Sequence, residues 1–296
     1  MSASSSLPST QLQWQLSKPS GIDSLQLVRD APVPRPGRGQ VLVRVRACSL
    51  NYRDLLVARN QYPVTLAADL IPLSDGAGEV VALGDDVADF AVGDRVAASF
   101  TPGHLGGVRR QGLERSLGGD LHGMLVQYRA LDASALVRIP AHMSFEEAAT
   151  LPCAAVTAWN ALYGGQHPLR SGEVVLVQGT GGVSVAAAQL ALAAGARVIA
   201  TSSSDEKLGR MQKLGVAAAD CIDYKTTPEW STKVRELTGG EGVDHVIEVG
   251  GPVTVSQSIK ATRVSGEIAG QYNNTCTHAH MEGRARRVQH ARGVHL

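Results

Sequence analysis

The chain has 296 residues, enough for two domains, and 44% of them are apolar, enough for a sizeable core. A formal net charge of +1 gives no general attraction to nucleic acid, no apolar run approaches membrane-spanning length, and Met1–Pro8 lacks the basic and apolar regions of a signal peptide. The four cysteines, Cys48, Cys153, Cys221 and Cys276, are scattered without a paired framework and point to reduced thiols in a cytoplasmic protein.

The first half reads as β-rich. Leu25–Val28, Gln40–Ala47, Gly78–Leu83 and Asp94–Ala98 are short strand-like runs, with turn signals at Val33–Gly37 and Leu83–Asp86. Gln40–Ala47 alternates apolar and polar side chains, as a half-buried antiparallel strand does. This predicts a partial barrel over residues 1–145. A helix at Ser144–Ala149, with Ser144 and Glu147 as a capping box, bridges to the next domain.

The most informative segment is residues 173–184. Val174–Val177 is a strongly apolar run that reads as a buried parallel strand; a glycine-rich turn follows, then Val185–Ala194, an Ala/Leu-rich helix. Strand, glycine turn and helix in this order are the setting in which a glycine pattern points to a dinucleotide. Gly179 allows the tight turn, and Gly181 removes the Cβ that would hold a pyrophosphate off the backbone. Ser184 takes the third small position, where helix and strand pack closely. The helix start offers free N–H groups and a positive dipole end to a phosphate. Thr180, Gly182 and Val183 complete the candidate loop.

Strands at 195–201, 219–223, 243–249 and 263–269 alternate with helices at 205–214, 228–237 and 254–262, which predicts a doubly wound parallel sheet over 146–270. Its ligand belongs beyond the carboxyl ends of the strands. An NAD site places Asp or Glu roughly 20 residues past the glycines to bind the ribose hydroxyls. Here that place holds Ser202, Ser203 and Ser204, with Lys207 in the next turn. Hydroxyls and an ammonium suit a 2′-phosphate, so NADPH is the expected cofactor. The same residues also read as a polar loop capping a helix through Ser204 or Asp205.

After Gly270 the texture changes. Residues 271–296 show no strand alternation and carry Arg284, Arg286, Arg287 and Arg292 against Glu282, a local charge of about +3. Four of the nine histidines lie there (His278, His280, His290 and His295), but Thr277–His280 matches no metal-ligand spacing. The segment reads as a disordered, non-homologous tail of the kind a frame change or altered splice leaves, with the fifth strand bared as a sheet edge.

Five segments carry a resemblance: Leu50–Asp54, Asp75–Val80, Val92–Val96, Glu147–Pro152 and Gly179–Ser184. In that order they resemble the medium-chain dehydrogenase/reductases, in the quinone-oxidoreductase-like branch that lacks zinc, over residues from about 20 to 270. The resemblance implies a GroES-like catalytic domain, a Rossmann domain lacking its last strand, NADPH as hydride donor and a homodimer. The divergent tail leaves the catalytic domain incomplete and the dimer in question.

It also allows a check of the metal positions. Zinc-dependent relatives place Cys where this chain has Asn51 and His where it has Ser74; only Cys153 matches. One donor of three does not hold a catalytic zinc, and residues 95–120 contain no cysteines for a structural zinc. His104 in that stretch and His122 just after it are expected to face solvent, and Arg53 and Asp54 to form an ion pair at a helix start. No zinc is expected. Without a Lewis acid, a conjugated quinone or enone, which spreads incoming charge, suits the site better than an isolated ketone. Asn51 and Tyr52 fall where the family builds its substrate pocket, Tyr52 to donate a proton or hydrogen bond and Asn51 to polarise a carbonyl; a structural role for both remains the alternative.

Thr157 and Tyr224 match family positions near the nicotinamide and the adenosine phosphate, with plain helix and surface roles as alternatives. The glycines of Glu248–Gly251 are brought to the same sheet edge. The sequence therefore points to an NADPH-dependent reductase of a small-molecule quinone or enone, with no nucleic-acid or membrane partner. A non-catalytic NADPH-binding protein is the alternative, and an alcohol dehydrogenase a more distant one.

Overall fold

A computed structural model describes residues 7–104, 106, 115–272, 275–282 and 287–290, with side chains up to residue 270. The chain divides into two compact units, 1–153 and 154–296.

The first unit contains β1 (Thr10–Gln15), β2 (Gln26–Pro32), β3 (Gln40–Ser49), α1 (Tyr52–Ala58), β4 (Asp75–Leu83), β5 (Arg95–Ala98), β6 (Tyr128–Asp132), β7 (Leu136–Arg138) and α2 (Phe145–Ala149). Strands β1 and β2 form an antiparallel ribbon, and the other five make an antiparallel sheet in the order β6-β3-β4-β5-β7. Val41 and Val43 are buried while Arg44 and Arg46 are exposed, as the alternation requires. Register shifts against β4 break that alternation, so Leu42 is buried as well. The core gathers Val41, Val43, Val80, Val96, Met124 and Leu131. Gly78 lets β3 and β4 close up, because a Cβ there would lie 2.2 Å from the Arg44 carbonyl oxygen.

Helix α2 is capped as the sequence predicts: the Ser144 hydroxyl accepts the Glu147 N–H at 3.1 Å, and the Glu147 carboxylate accepts the Ser144 N–H at 2.8 Å. The division falls after Cys153 rather than at 145 because α2 packs on the first sheet. Its Ala148 and Ala149 are buried against Ala77 and Ala97.

The second unit contains α3 (Val156–Tyr163), β8 (Val174–Gln178), α4 (Gly182–Ala193), β9 (Arg197–Ser202), α5 (Asp205–Lys213), β10 (Cys221–Asp223), α6 (Trp230–Leu237), β11 (Val243–Glu248), α7 (Val255–Ala261) and β12 (Thr262–Tyr272), then β13 (Thr275–Glu282) and β14 (Arg287–His290). Five strands run parallel in the order β10-β9-β8-β11-β12. The sheet is covered on both faces, which is why its central strand β8 is apolar without a break from Val174 to Val177. Val175 and Val177 face α3 and α4, whose Ala158, Ala161, Ala187, Ala188 and Ala191 allow close approach. Leu176, one residue out of phase, joins Ile199, Trp230, Val234 and Ala261 on the other face.

The tail differs from expectation. Strand β13 pairs antiparallel with β12, and β14 with β13, so the edge of the fifth strand is covered rather than bare. The physical reason is the edge itself, whose unpaired N–H and C=O groups are a template for any following extended segment. The side chains of 271–296, including the arginines and histidines singled out above, lie outside the described residues. Among the described residues no helix is long and apolar enough to cross a membrane.

Candidate active site

At the carboxyl end of β8 the chain turns through Gly179, whose φ of +72° lies in the left-handed region. Its N–H donates to the Thr201 carbonyl at 2.7 Å, which binds the turn to β9. Gly181, in extended conformation, caps α4, and Val185 N–H donates to its carbonyl at 2.9 Å. Ser184 is 1% exposed and its hydroxyl donates to the Gln178 carbonyl at 2.6 Å, so the helix start is tied back to the strand end. A Cβ added at Gly179 or Gly181 meets nothing within 4 Å. The backbone therefore borders open space, where the first N–H groups of α4, which lack helical partners, favour an anion. Gly181 and Gly182 are exposed, and Thr180 and Val183 half-buried.

Strand β9 ends at Ser202 without a carboxylate. Ser202 is buried, and its carbonyl accepts the Tyr224 N–H at 3.0 Å, which places Tyr224, 42% exposed, beside the strand end. Ser203 is half-buried. Ser204, not Asp205, caps α5, its hydroxyl accepting the Lys207 N–H at 3.4 Å; the Lys207 side chain is exposed. The nearby Asp223 carboxylate is committed to its own turn through the Lys225 N–H at 2.8 Å. Thr157 is buried in α3.

In the first unit, Asn51 caps α1, and its backbone N–H donates to the Asp54 carboxylate at 2.7 Å. Tyr52 is 72% exposed, so it is not packed beneath the barrel. Arg53 is buried and does not form the expected ion pair with Asp54. Its guanidinium donates to the carbonyls of Leu117 at 2.9 Å and Gly118 at 3.3 Å and to the Ser116 hydroxyl at 2.8 Å, between the rings of Tyr62 and Phe100. Sequence reasoning missed this side chain, because nothing local marks an arginine as buried. His122 also departs from expectation. It is partly buried, and its Nδ1 accepts the Ile71 N–H at 3.2 Å, while burial and then Arg129 push its pKa down.

The three positions that hold zinc in the relatives are brought together around Asp75. The Ser74 hydroxyl donates to Asp75 at 2.8 Å and the Cys153 N–H at 3.2 Å. The Asn51 amide nitrogen makes no hydrogen bond of good geometry, yet it lies near enough to oppose the upward shift that burial imposes on Asp75. Burial, reinforced by the Asp75 charge, pushes the Cys48 and Cys153 thiols up to about 12. Two of the three positions thus carry a carboxamide and a hydroxyl, and neither belongs to the cysteine, histidine and carboxylate donors that hold a catalytic zinc. Among the described residues no group of three or more His, Cys, Asp or Glu side chains is arranged to hold a metal.

Known proteins resemble this chain over most of its length. The alcohol dehydrogenase GroES-like domain matches residues 37–141, and the zinc-binding dehydrogenase domain matches 182–270. A zinc-type alcohol dehydrogenase-like protein of Schizosaccharomyces pombe is 47% identical over 252 residues, which are 84% of this chain and 72% of the relative. The acryloyl-coenzyme A reductase of Metallosphaera sedula is 31% identical over 254 residues, 81% of this chain and 71% of that protein. Among solved structures, the quinone oxidoreductase of Pseudomonas syringae pv. tomato superposes with a TM-score of 0.73 at 29% identity, covering 88% of this chain and 73% of that one.

Proposed function

Because the chain belongs to the medium-chain dehydrogenase/reductases of the zinc-type alcohol dehydrogenase-like superfamily, a family of oxidoreductases, we propose that it is an NADPH-dependent reductase of a quinone, enone or related conjugated carbonyl that works without metal. The observation that carries the reading is the open cradle over Gly179 and Gly181 beside a strand end free of carboxylates. Gly179, Thr180, Gly181, Gly182 and Val183 would hold the pyrophosphate. Ser202, Ser203, Lys207 and Tyr224 would hold the adenosine 2′-phosphate end, and Thr157 would lie toward the nicotinamide. When bound, the cofactor supplies a hydride.

The protein's own part is binding, orientation and protonation. Tyr52, exposed at the start of α1, donates a hydrogen bond or proton to the developing enolate oxygen, and Asn51 polarises the carbonyl. Asn51 and Ser74 at the metal positions support chemistry without a Lewis acid, because conjugation spreads the charge that zinc would otherwise neutralise. The acryloyl-coenzyme A reductase and quinone oxidoreductase relatives act on such acceptors by name.

The test is turnover of a simple quinone with NADPH and, separately, NADH, with and without a chelator. NADPH-preferring turnover that survives chelation supports the reading. Saturable NADPH binding without turnover of quinones or enones makes the chain a cofactor-binding protein, and activity lost to the chelator makes it a zinc alcohol dehydrogenase.

A further inference from the structure

Beyond the glycine turn, Glu248, the last residue of β11, is a heavily bonded side chain of the second unit. It is 1% exposed and has no cationic partner among the ion pairs of the described residues. One oxygen accepts the Gly250 N–H at 2.8 Å, the Gly251 N–H at 2.9 Å and the Thr254 hydroxyl at 2.6 Å. The other accepts the Gln178 amide at 2.8 Å and the Ser258 hydroxyl. Five donors, all of them neutral amides and hydroxyls, converge on its two oxygens.

The partners show what this arrangement does. Gln178 ends β8 and stands one residue before Gly179. Its carbonyl receives the Ser184 hydroxyl that anchors α4, while its amide reaches Glu248, the Ser258 hydroxyl at 2.6 Å and the Gly250 N–H at 3.2 Å. In the ladder Ile247 stands beside Val177, so Glu248 and Gln178 leave the two central strands side by side. Gly250 and Gly251 then follow with no bulk to hold them: Gly251 has a φ of +78° and open space where a Cβ would be. Left to itself such a pair is among the most mobile backbone a chain can have.

We propose that Glu248 is a positioning residue that, through Gln178, locks the Gly250–Gly251 loop to the glycine turn, so that both loops at the carboxyl edge of the central strands present one rigid surface to the dinucleotide. This rests on the dinucleotide reading above. The carboxylate does not touch the cofactor. It removes the entropy that binding would otherwise have to remove from the loop.

Glu248→Gln tests it, because the amide turns one acceptor oxygen into a donor that faces the Gln178 amide. The full-length variant is expected to bind NADPH about tenfold more weakly, the loss of one charge-assisted hydrogen bond. Its kcat at saturating NADPH and its KM for the quinone should stay unchanged, and the Gly250 and Gly251 amides should exchange with deuterium faster in the free protein. The exchanged pair, Gln178→Glu with Glu248→Gln, is expected to recover tight binding, since donor and acceptor again face each other. Where Glu248→Gln does not fold, Thr254→Val removes one donor and carries the same expectations. Unchanged exchange and unchanged NADPH affinity in folded variants overturn the proposal. Wild-type protein that binds neither NADPH nor NADH overturns the dinucleotide reading, and this inference with it.

Discussion

Asp54 accepts the backbone N–H of Asn51 at 2.7 Å, so the first turn of α1 is closed by a carboxylate that burial pushes up to about 6, against an ordinary value of 3.8. That hydrogen bond and the Arg53 charge both pull it down, but burial outweighs them. The folded state therefore keeps the proton to higher pH than the unfolded chain does. The resulting stability is fully present below 3.8, is lost as pH rises through about 6, and is level above that. Asp54→Asn retains an acceptor for the Asn51 N–H and removes the ionisation. It should be more stable than wild type above about pH 7, by on the order of 1–3 kcal/mol, and lose the advantage in acid. Denaturant midpoints at the two pH values check this; the burial of Asp75 leaves a smaller fall of the same sign in the variant.

Gly181→Ala separates folding from binding. The added Cβ points into open space, and the extended backbone at that cap suits any residue, so the variant should melt within about 3 °C of wild type. NADPH should bind at least about tenfold more weakly, because the methyl group lies where the pyrophosphate approaches. Equal affinity in a titration would place the dinucleotide elsewhere.

How legible the molecule is in its sequence depends on how local the cause is. The strand, glycine turn and helix of residues 174–193 can be read because each step rests on neighbouring residues, as does the Ser144–Glu147 cap. Strands β1, β6 and β7 escape because they are short and are fixed by partners far along the chain, such as Val126 bridging Gln13. Arg53 and His122 were misplaced for a related reason. Whether a polar side chain is buried depends on carbonyls and N–H groups some fifty or more residues away, at 64 residues for Leu117 and 51 for Ile71. The strands of the tail are hard to read because the alternation of Ala279, His280, Met281 and Glu282 is short and poor in the β-branched and aromatic residues that mark a strand. Their pairing comes from the edge they meet.

Arg53→Lys is not conservative here. A lysine cannot reach two carbonyls and a hydroxyl at once from between two rings, and it leaves buried acceptors unpaired. The expected cost is about 2–4 kcal/mol in equilibrium denaturation at an unchanged m-value.

The thiols of Cys48 and Cys153, both pushed up to about 12, should remain unalkylated by iodoacetamide near neutral pH and react only once denaturant is added. Mass spectrometry of the modified peptides reads the outcome. Labelling of Cys153 in the native protein would mean that the surroundings of Asp75 are open to water.

The central place of β8 has a consequence for biosynthesis. Its outer neighbour β9 follows within a helix and a turn, but its inner flank waits for β11, and the bond from Val174 to Asp244 spans 70 residues. At ribosomal speed that interval lasts roughly 4–14 s, during which a nascent strand of valine and leucine has one ladder unmade. The newborn chain therefore needs shelter from its neighbours on the polysome, and a translational pause placed before residue 244 would prolong its exposure.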